Sequence, residues 1–369
     1  MLGKHSSVLS IQVIETQLSF KLNGNTCMRQ YAKSICILCL LLIWVITLSG
    51  CTSSYRERSA NRLPENWEER SLAHDGLVRY YRVYIPEPLP ENPALVLYLH
   101  GGTLSMRSLF SPLADSSATW FKIAEEEGVV LVVPNGVNPE TGDTYGDDQN
   151  WNDLRPDQAQ GQTEVDDVGF LLRLLDQLSG EMPIDPDRIF VTGASNGGMM
   201  TYRLLIEAPE RFAAGAAYIA NLPVLSAPLS FPDQPVPILI ANGTEDQLMP
   251  FEGGVVAKDR GLVISTQETV EWWVNANQAD QDRLAFRDLP DLNQEDGCRI
   301  EESIYPASED GAAVWFYRID GGGHTLPSLS EGGLLQRLAI SLLGPVCRDV
   351  DGVRLAWDFF SEVSLDNLP

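Results

Sequence analysis

The sequence predicts one α/β domain, built on a single doubly wound, mostly parallel sheet with helices on both faces. Short, continuous apolar segments alternate along the chain with segments whose apolar residues recur at helical spacing. Such alternation is typical of strand-helix-strand units in a parallel sheet. The composition agrees, because 44% of the 369 residues are hydrophobic and 21% are charged. These values are ordinary for a globular chain and exclude a disordered or fibrous protein.

Seven segments are predicted to be strands: 78–85, 94–99, 129–133, 189–192, 213–219, 238–241 and 314–319. Several of them are short, continuous and apolar, as expected for strands buried on both faces of a sheet. Five segments carry an apolar stripe at helical spacing and are predicted to be helices: 108–127, 165–178, 198–207, 262–277 and 353–363. The polar stretches 135–162 and 279–302 are predicted to be long loops.

The N-terminal residues are predicted to lie outside this domain. Residues 34–50 form an uncharged apolar run that follows Arg29 and Lys33, which is the pattern of an export signal. The run ends in the residues Leu-Ser-Gly before Cys51, which resembles a bacterial lipobox, so Cys51 is predicted to be acylated. A plain transmembrane anchor is the alternative, because about 17 apolar residues are just enough to cross a bilayer. Both interpretations place the domain outside the cytoplasm.

Three regions follow from this interpretation. Residues 1–50 are the export-signal region, and Met28 is the predicted true start because a compact positively charged segment begins there. Residues 51–74 are the lipidated cysteine and a polar tether, and residues 75–369 are the α/β domain. Thr52 after the cysteine resembles outer-membrane lipoproteins, so we expect an envelope lipoprotein, anchored in the membrane through Cys51, or an extracellular protein.

Charge and cysteine content exclude some classes of partner and site. The chain has 26 Lys and Arg against 51 Asp and Glu, a formal net charge of −25, so nucleic-acid binding is excluded. Only Cys298 and Cys347 follow Cys51, and an even pair in an oxidising compartment predicts a disulfide. Two independently buried thiols are the alternative. The sequence has no CxxC pair and no His/Cys cluster, so we expect no metal site.

The strongest chemical motif is Gly-Ala-Ser-Asn-Gly at residues 193–197, which follows an apolar strand and precedes a helix. In this context G-x-S-x-G predicts a nucleophilic Ser195 on a sharp strand-to-helix turn, where bulkier flanking residues would collide. A plain Gly/Ser turn between a strand and a helix is the alternative.

A serine hydroxyl needs a base and an orienting acid before it becomes a good nucleophile. His324 is the only histidine after Ser195, and it follows a predicted strand within a glycine-rich loop. We therefore predict His324 as the base. The acid is predicted to be Asp246, after the strand at 238–241, with Glu245 as the alternative.

Acyl transfer also needs hydrogen-bond donors for the negatively charged oxygen of the tetrahedral intermediate. The strand at 94–99 ends in His-Gly-Gly-Thr, residues 100–103, which is similar to the loop that lines such an oxyanion hole. The backbone N–H groups of Thr103 and Asn196 are the predicted donors. His100 is predicted to hold the loop rather than to take part in the reaction.

Five motifs follow one another along the chain, at residues 100–103, 150–153, 165–170, 193–200 and 321–327. Together they resemble the secreted polyhydroxybutyrate depolymerase and feruloyl esterase group of α/β-hydrolases, related to acetyl-xylan esterases, over about residues 75 to 363. The resemblance implies the α/β-hydrolase fold and a serine esterase that works through an acyl-enzyme without a cofactor. It implies short-chain, hydroxyacyl or polysaccharide-linked esters as substrates, and we expect a monomer.

Two residues bear on the substrate. Leu326 stands where members of this group usually have tryptophan, so the wall of the substrate site differs here. Trp151 is predicted to line the acyl or sugar pocket, with a core position as the alternative.

Five aspartates in the long loop around Trp151 could bind Ca²⁺ through clustered oxygen atoms, although a solvated acidic loop is favoured. They are Asp143, Asp147, Asp148, Asp153 and Asp157.

Two other function classes stay open. The same fold could carry a serine peptidase, which amide and ester substrates would distinguish. A non-catalytic, glycan-binding surface lipoprotein is the second class, but a binding protein gains nothing from keeping a nucleophile, a base and an acid.

Overall fold

The computed structural model describes residues 66–110, 115–155, 164–224, 230–257, 259–331 and 342–362. The strands in these residues are β1 (Trp67–His74), β2 (Leu77–Tyr84), β3 (Leu95–Leu99), β4 (Val130–Pro134), β5 (Ile189–Ala194), β6 (Ala214–Tyr218), β7 (Ile238–Gly243), β8 (Gly254–Val255), β9 (Leu262–Val263), β10 (Ala285–Asp288), β11 (Arg299–Tyr305) and β12 (Val314–Asp320). The α-helices are α1 (Asp115–Glu127), α2 (Asp167–Glu181), α3 (Asn196–Glu207), α4 (Thr266–Ala276) and α5 (Gly352–Glu362).

Ten strands form one sheet in the order β1-β2-β4-β3-β5-β6-β7-β12-β11-β10. The six central strands, from β4 to β12 in this order, are parallel to one another. Antiparallel pairs close both edges, with β1 and β2 on one side and β10 and β11 on the other. The predicted mostly parallel sheet is confirmed, and each of the seven predicted strands forms part of it.

Helices cover both faces of this sheet. One core layer packs α2, α3 and α4 against the sheet, through buried side chains such as Leu171, Met200 and Trp273. The other layer packs α1 and α5 against the opposite face, through residues such as Trp120 and Phe359. The central strands contribute alternate side chains to both layers, which is why their sequences are rich in apolar residues.

The domain begins earlier than predicted. Residues 67–74 were assigned to the polar tether, but they form β1, which pairs antiparallel with β2 along its whole length. Its only buried side chains are those of Trp67 and Leu72. An edge strand with so few buried residues has no apolar run, so its sequence resembles a polar linker.

Two further regions differ from the predictions. The stretch 279–302 was predicted to be a loop, but it contains β10 and the first part of β11. Strand β10 was missed because it is an exposed edge strand without an apolar face. The helix predicted from residue 262 starts only at Thr266, since residues 262–263 form β9. Ser265 and Glu268 form a capping box at this helix start.

Cys298 and Cys347 are both buried, and the structure brings their sulfur atoms within 4.8 Å of each other. Both are free thiols, so the predicted disulfide is not formed in this structure. Each thiol lies within hydrogen-bond range of a carboxylate. Cys298 contacts Asp296, two residues before it, and Cys347 contacts Asp349, two residues after it.

The predicted export signal, the start at Met28 and the lipidated Cys51 lie outside the described residues. Within the described ranges, none of the helices combines the length and the apolar character that a membrane span requires.

Candidate active site

Ser195 lies on a strained turn between β5 and α3. Its backbone has φ 57° and ψ −123°, a conformation that costs free energy for a residue with a side chain. Its N–H donates to the carbonyl oxygen of Tyr218 at 2.9 Å, which fixes the turn to the neighbouring strand β6. The hydroxyl makes no capping hydrogen bond to α3 and the residue is half-buried, so the oxygen stays available for chemistry.

The two glycines of the motif allow the backbone to pack closely around this turn. A Cβ on Gly193 would lie 2.5 Å from the carbonyl carbon of Gly197. A Cβ on Gly197 would lie 2.3 Å from the carbonyl oxygen of Leu99 at the end of β3. Both distances are too short for any side chain, which is the steric requirement that the motif predicts.

Asp246 and His324 form a close pair at the ends of β7 and β12. The Asp246 Oδ2 lies 2.7 Å from the His324 Nδ1, and both side chains are largely buried. The other carboxylate oxygen of Asp246 accepts the backbone N–H groups of Leu248 and Met249, each at 2.8 Å. Glu245 is exposed. The structure thus pairs Asp246, and not Glu245, with the histidine.

The loop that carries His324 is held by backbone hydrogen bonds to residues 343–345. The His324 N–H donates to the carbonyl oxygen of Leu343 at 2.6 Å, and the Gly323 N–H donates to that of Pro345 at 2.9 Å. Among the contacts of the described residues there is no hydrogen bond between the Ser195 hydroxyl and His324. Catalytic hydrogen bonds of this kind are often long before substrate binds.

The structure corrects one predicted oxyanion donor. The Thr103 N–H donates to the carbonyl oxygen of Gln149 at 2.9 Å and to the Oδ1 of Asn150 at 3.0 Å, so it is not free for a substrate. The prediction for Thr103 was therefore wrong, because the sequence does not show that a distant segment pairs with this turn. In the described part of the chain, the backbone N–H groups of Gly102 and Asn196 have no acceptor within hydrogen-bond range.

The side chain of Asn196 anchors the turn to the segment 151–153. Its Oδ1 accepts the Trp151 N–H at 2.7 Å, and its Nδ2 donates to the Trp151 carbonyl oxygen and to Asp153. Asp153 is itself paired with the buried guanidinium of Arg155. This buried network holds the residue after Ser195 in one position.

Trp151 belongs to the core and does not line a substrate pocket. Its side chain is fully buried, and its indole N–H donates to the carbonyl oxygen of His100 at 2.9 Å. The prediction of a substrate contact was wrong for this residue, and its core alternative is what the structure has. Leu326 is half-buried and packs against the core layer that contains α5, and its predicted role toward substrate stays a prediction.

The acidic residues of the long loop have partners of their own. Asp147 pairs with Arg107, and Asp153 pairs with Arg155. Asp157 lies outside the described residues. Two of the five aspartates considered for Ca²⁺ are therefore already neutralised by arginine.

His100 has the structural role that its position predicts. Its Nε2 accepts the Gly136 N–H at 3.0 Å, so the proton must sit on Nδ1, which lies 2.8 Å from the carbonyl oxygen of Gly101. Complete burial lowers the pKa of His100 to about 4. The ring is therefore neutral at neutral pH and joins the turn at residue 101 to the end of β4.

We expect this histidine to make the fold sensitive to acid. Because its folded-state pKa of about 4 lies below the unfolded value of about 6.5, the stabilisation is complete above pH 6.5 and is lost as the pH falls toward 4. Between pH 7 and 5 the loss should reach about 2 kcal/mol in the free energy of unfolding. Urea denaturation at pH 7 and pH 5 measures this loss of stability. The His100→Gln variant should lose less free energy of unfolding between the two pH values. An equal loss in the variant would contradict the prediction.

Comparisons with known proteins place these features among esterases. Residues 116–230 match the prolyl oligopeptidase family. The chain is 30% identical over 270 residues to "Putative esterase NocK" of Nocardia uniformis subsp. tsuyamanensis, which covers 70% of this chain and 73% of that protein. It is 28% identical over 183 residues to the poly(3-hydroxybutyrate) depolymerase of Ralstonia pickettii, covering 47% of this chain and 35% of the depolymerase.

A solved structure with a similar fold is the acetyl xylan esterase from Aspergillus awamori. It has a TM-score of 0.47 and 16% sequence identity, and the similarity covers 71% of this chain and 95% of that chain.

Proposed function

The chain belongs to the esterase family of α/β-hydrolases and is a carboxylic-ester hydrolase, and we propose that it works through an acyl-enzyme on Ser195. The observation that carries this proposal is the strained Ser195 turn at the carboxyl-terminal end of β5, with the Asp246–His324 pair at the same ends of the parallel strands β7 and β12. Asp246 Oδ2 and His324 Nδ1 lie 2.7 Å apart. A nucleophile, a base and an orienting acid are the groups that ester hydrolysis by serine requires.

In the first half of the proposed reaction, the Ser195 oxygen attacks the ester carbonyl carbon while His324 Nε2 accepts the hydroxyl proton. Asp246 keeps the other proton of the ring on Nδ1 and stabilises the imidazolium that forms. The Gly102 and Asn196 N–H groups donate to the oxygen that becomes negative. The intermediate then collapses, the alcohol leaves with the proton from His324, and the acyl group remains on Ser195.

In the second half, water attacks the acyl-enzyme and gives its proton to His324 Nε2. Collapse of the second tetrahedral intermediate releases the carboxylic acid, and the proton returns to the Ser195 oxygen. The buried Asp246 carboxylate suits this role because two backbone N–H groups, from Leu248 and Met249, hold its second oxygen in place.

The Gly102 donor leads to a specific prediction. A Cβ at residue 102 would lie 2.7 Å from Asn150 Oδ1 and 3.4 Å from Asn196 Cβ, so in Gly102→Ala either the Asn150 side chain or the turn must shift. We expect kcat to fall by roughly 100-fold, the effect of losing one oxyanion donor. Gly180→Ala is the matched control, because nothing lies within 4 Å of a Cβ there. Equal kcat in both variants, measured by p-nitrophenyl ester hydrolysis, would contradict the assignment of Gly102.

We propose short-chain, hydroxyacyl or polysaccharide-linked esters as the substrate class. Relatives named acetylxylan esterase, feruloyl esterase and poly(3-hydroxybutyrate) depolymerase support this range. The test is hydrolysis of p-nitrophenyl esters from acetate to octanoate by the purified full chain. A preference for acetate or butyrate supports the proposal, whereas no turnover by folded protein would refute it.

A peptidase on the same fold is the second candidate, favoured by the match of residues 116–230 to the prolyl oligopeptidase family. Matched p-nitroanilide and p-nitrophenyl substrates with the same acyl group distinguish the two functions. Turnover of the anilide at a rate comparable to that of the ester would favour the peptidase. The glycan-binding alternative has less support, because the Asp246–His324 pair has no use in a binding protein.

We also propose that the enzyme is exported and held at the cell envelope by a lipid on Cys51. The apolar run 34–50 and the Leu-Ser-Gly-Cys sequence support this location. Labelling of cells with a radioactive fatty acid should mark the wild type and leave Cys51→Ser unlabelled. Equal labelling of both proteins would refute the lipid anchor.

A further inference from the structure

We propose that the side chain of Leu104 contacts an apolar carbon chain of the ester substrate, next to the reacting carbonyl group, and so favours chains longer than acetyl. This inference rests on the proposed function, in which Ser195 is the nucleophile. It assigns a determinant of substrate choice to a residue that contributes no group to the chemical steps.

Leu104 lies close to the nucleophile. The point that a Cβ on Gly101 would occupy is 3.5 Å from Leu104 Cδ1 and 3.8 Å from Ser195 Cβ. A single carbon atom at that point would therefore touch both side chains. Gly102, whose free N–H is a proposed oxyanion donor, is only two residues before Leu104. A short carbon chain, attached to the carbonyl carbon that Ser195 attacks, is long enough to reach Leu104.

The backbone fixes Leu104 in this position. Its N–H donates to the carbonyl oxygen of Gly101 at 3.2 Å, which closes the turn, and its carbonyl oxygen accepts the Gln149 N–H at 2.9 Å. The preceding residue, Thr103, has a φ of 61°, which costs free energy for a β-branched residue. Hydrogen bonds from the Thr103 N–H to Gln149 and Asn150 hold this strained conformation. A rigid turn thus presents Leu104, so little backbone freedom is lost when a substrate binds.

The side chain of Leu104 is available for such a contact, because it is 46% exposed. A single exposed leucine is ordinary on a protein surface, so exposure alone indicates no function. Leu104 differs in being exposed beside the candidate nucleophile, on the turn that also carries the free Gly102 N–H. Contact with a carbon chain would remove apolar surface of both partners from water. The gain grows with chain length, so it is smallest for an acetyl group.

The acyl side of the ester is tested by the ratio of kcat/KM for p-nitrophenyl butyrate to that for p-nitrophenyl acetate. Both esters release the same alcohol, and the ratio cancels any general loss of active enzyme. A methylene that is buried against Leu104 is worth up to about fourfold in kcat/KM. We expect Leu104→Ala to lower this ratio by roughly fourfold to tenfold. Leu104→Met keeps an apolar side chain of similar volume and should keep the wild-type ratio.

The alcohol side is tested by the corresponding ratio for butyl acetate and methyl acetate, measured as the release of acetic acid. A fall in the first ratio assigns the contact to the acyl chain, and a fall in the second assigns it to the alcohol chain. If neither ratio changed in Leu104→Ala, the proposal would be overturned. A fall in Leu104→Met as large as that in Leu104→Ala would also overturn it, because methionine preserves the apolar contact.

Leu284→Ala is the matched control. Leu284 is exposed to nearly the same extent, 43%, and directly precedes β10 at the edge of the sheet. Both ratios should stay at their wild-type values in this variant, and a fall equal to that in Leu104→Ala would count against the proposal. Ser195→Ala is measured in parallel. Turnover that persists there would refute the proposed nucleophile, whereas turnover that depends on Ser195, with unchanged ratios in Leu104→Ala, would refute only the role of Leu104.

Discussion

Ser195→Ala is expected to lower kcat for ester hydrolysis by about a million-fold, to the residual rate given by the oxyanion donors alone. The reason is that the variant lacks the hydroxyl oxygen that carries the acyl group in the proposed reaction. Folding should be unaffected, because the turn is held by the backbone hydrogen bond to Tyr218 and the hydroxyl caps nothing. Initial rates with p-nitrophenyl butyrate, together with a thermal melt, measure both effects.

Ser303→Ala is the matched control for this variant. Ser303 is a half-buried serine in the middle of β11, near the edge of the sheet that is remote from β5 in strand order. The Ser303→Ala variant should hydrolyse the ester at the wild-type rate. If Ser195→Ala retained more than a small fraction of the wild-type rate, the nucleophile would have to be a different residue.

Asp246→Asn is expected to lower kcat by about 10,000-fold while leaving the fold intact. An asparagine at this position can still accept the Leu248 and Met249 N–H groups through Oδ1, so the loop should keep its shape. It cannot stabilise the imidazolium that His324 becomes, and it favours the wrong tautomer of the ring. Initial rates of p-nitrophenyl butyrate hydrolysis, together with a thermal melt, measure both effects.

Glu245→Gln tests the neighbouring carboxyl group that the sequence left as an alternative. Glu245 is exposed and makes its contact with the histidine loop through its backbone N–H, which donates to the carbonyl oxygen of Gly322 at 2.9 Å. Its side chain should therefore be dispensable, and the variant should hydrolyse esters at the wild-type rate. A large loss in Glu245→Gln with a small one in Asp246→Asn would reverse the assignment.

Features that depend on local sequence pattern could be predicted before the structure was known. Most side chains of the six central strands and of β2 are buried, so these segments are rich in apolar residues and were predicted from the sequence. The candidate nucleophile was also predictable, since a strained turn with close backbone packing demands glycine at positions 193 and 197. His324 could be chosen by elimination because it is the only histidine that follows Ser195.

The edges of the sheet could not be predicted in this way. Strands β1 and β10 bury few side chains, and they pair through backbone groups that every residue carries. Backbone pairing leaves little trace in the sequence, so both strands resembled loops or a tether.

The details of the candidate site depend on tertiary contacts and could not be predicted from local pattern. Which carboxylate meets His324, which turn N–H is already occupied and where Trp151 points all depend on contacts between residues far apart in the chain. Gln149 takes the Thr103 N–H across 46 positions, and no local pattern records that pairing. An acceptor from any part of the chain can occupy a backbone N–H group. The free N–H groups of residues 102 and 196 can therefore be identified only when the positions of all nearby acceptors are known.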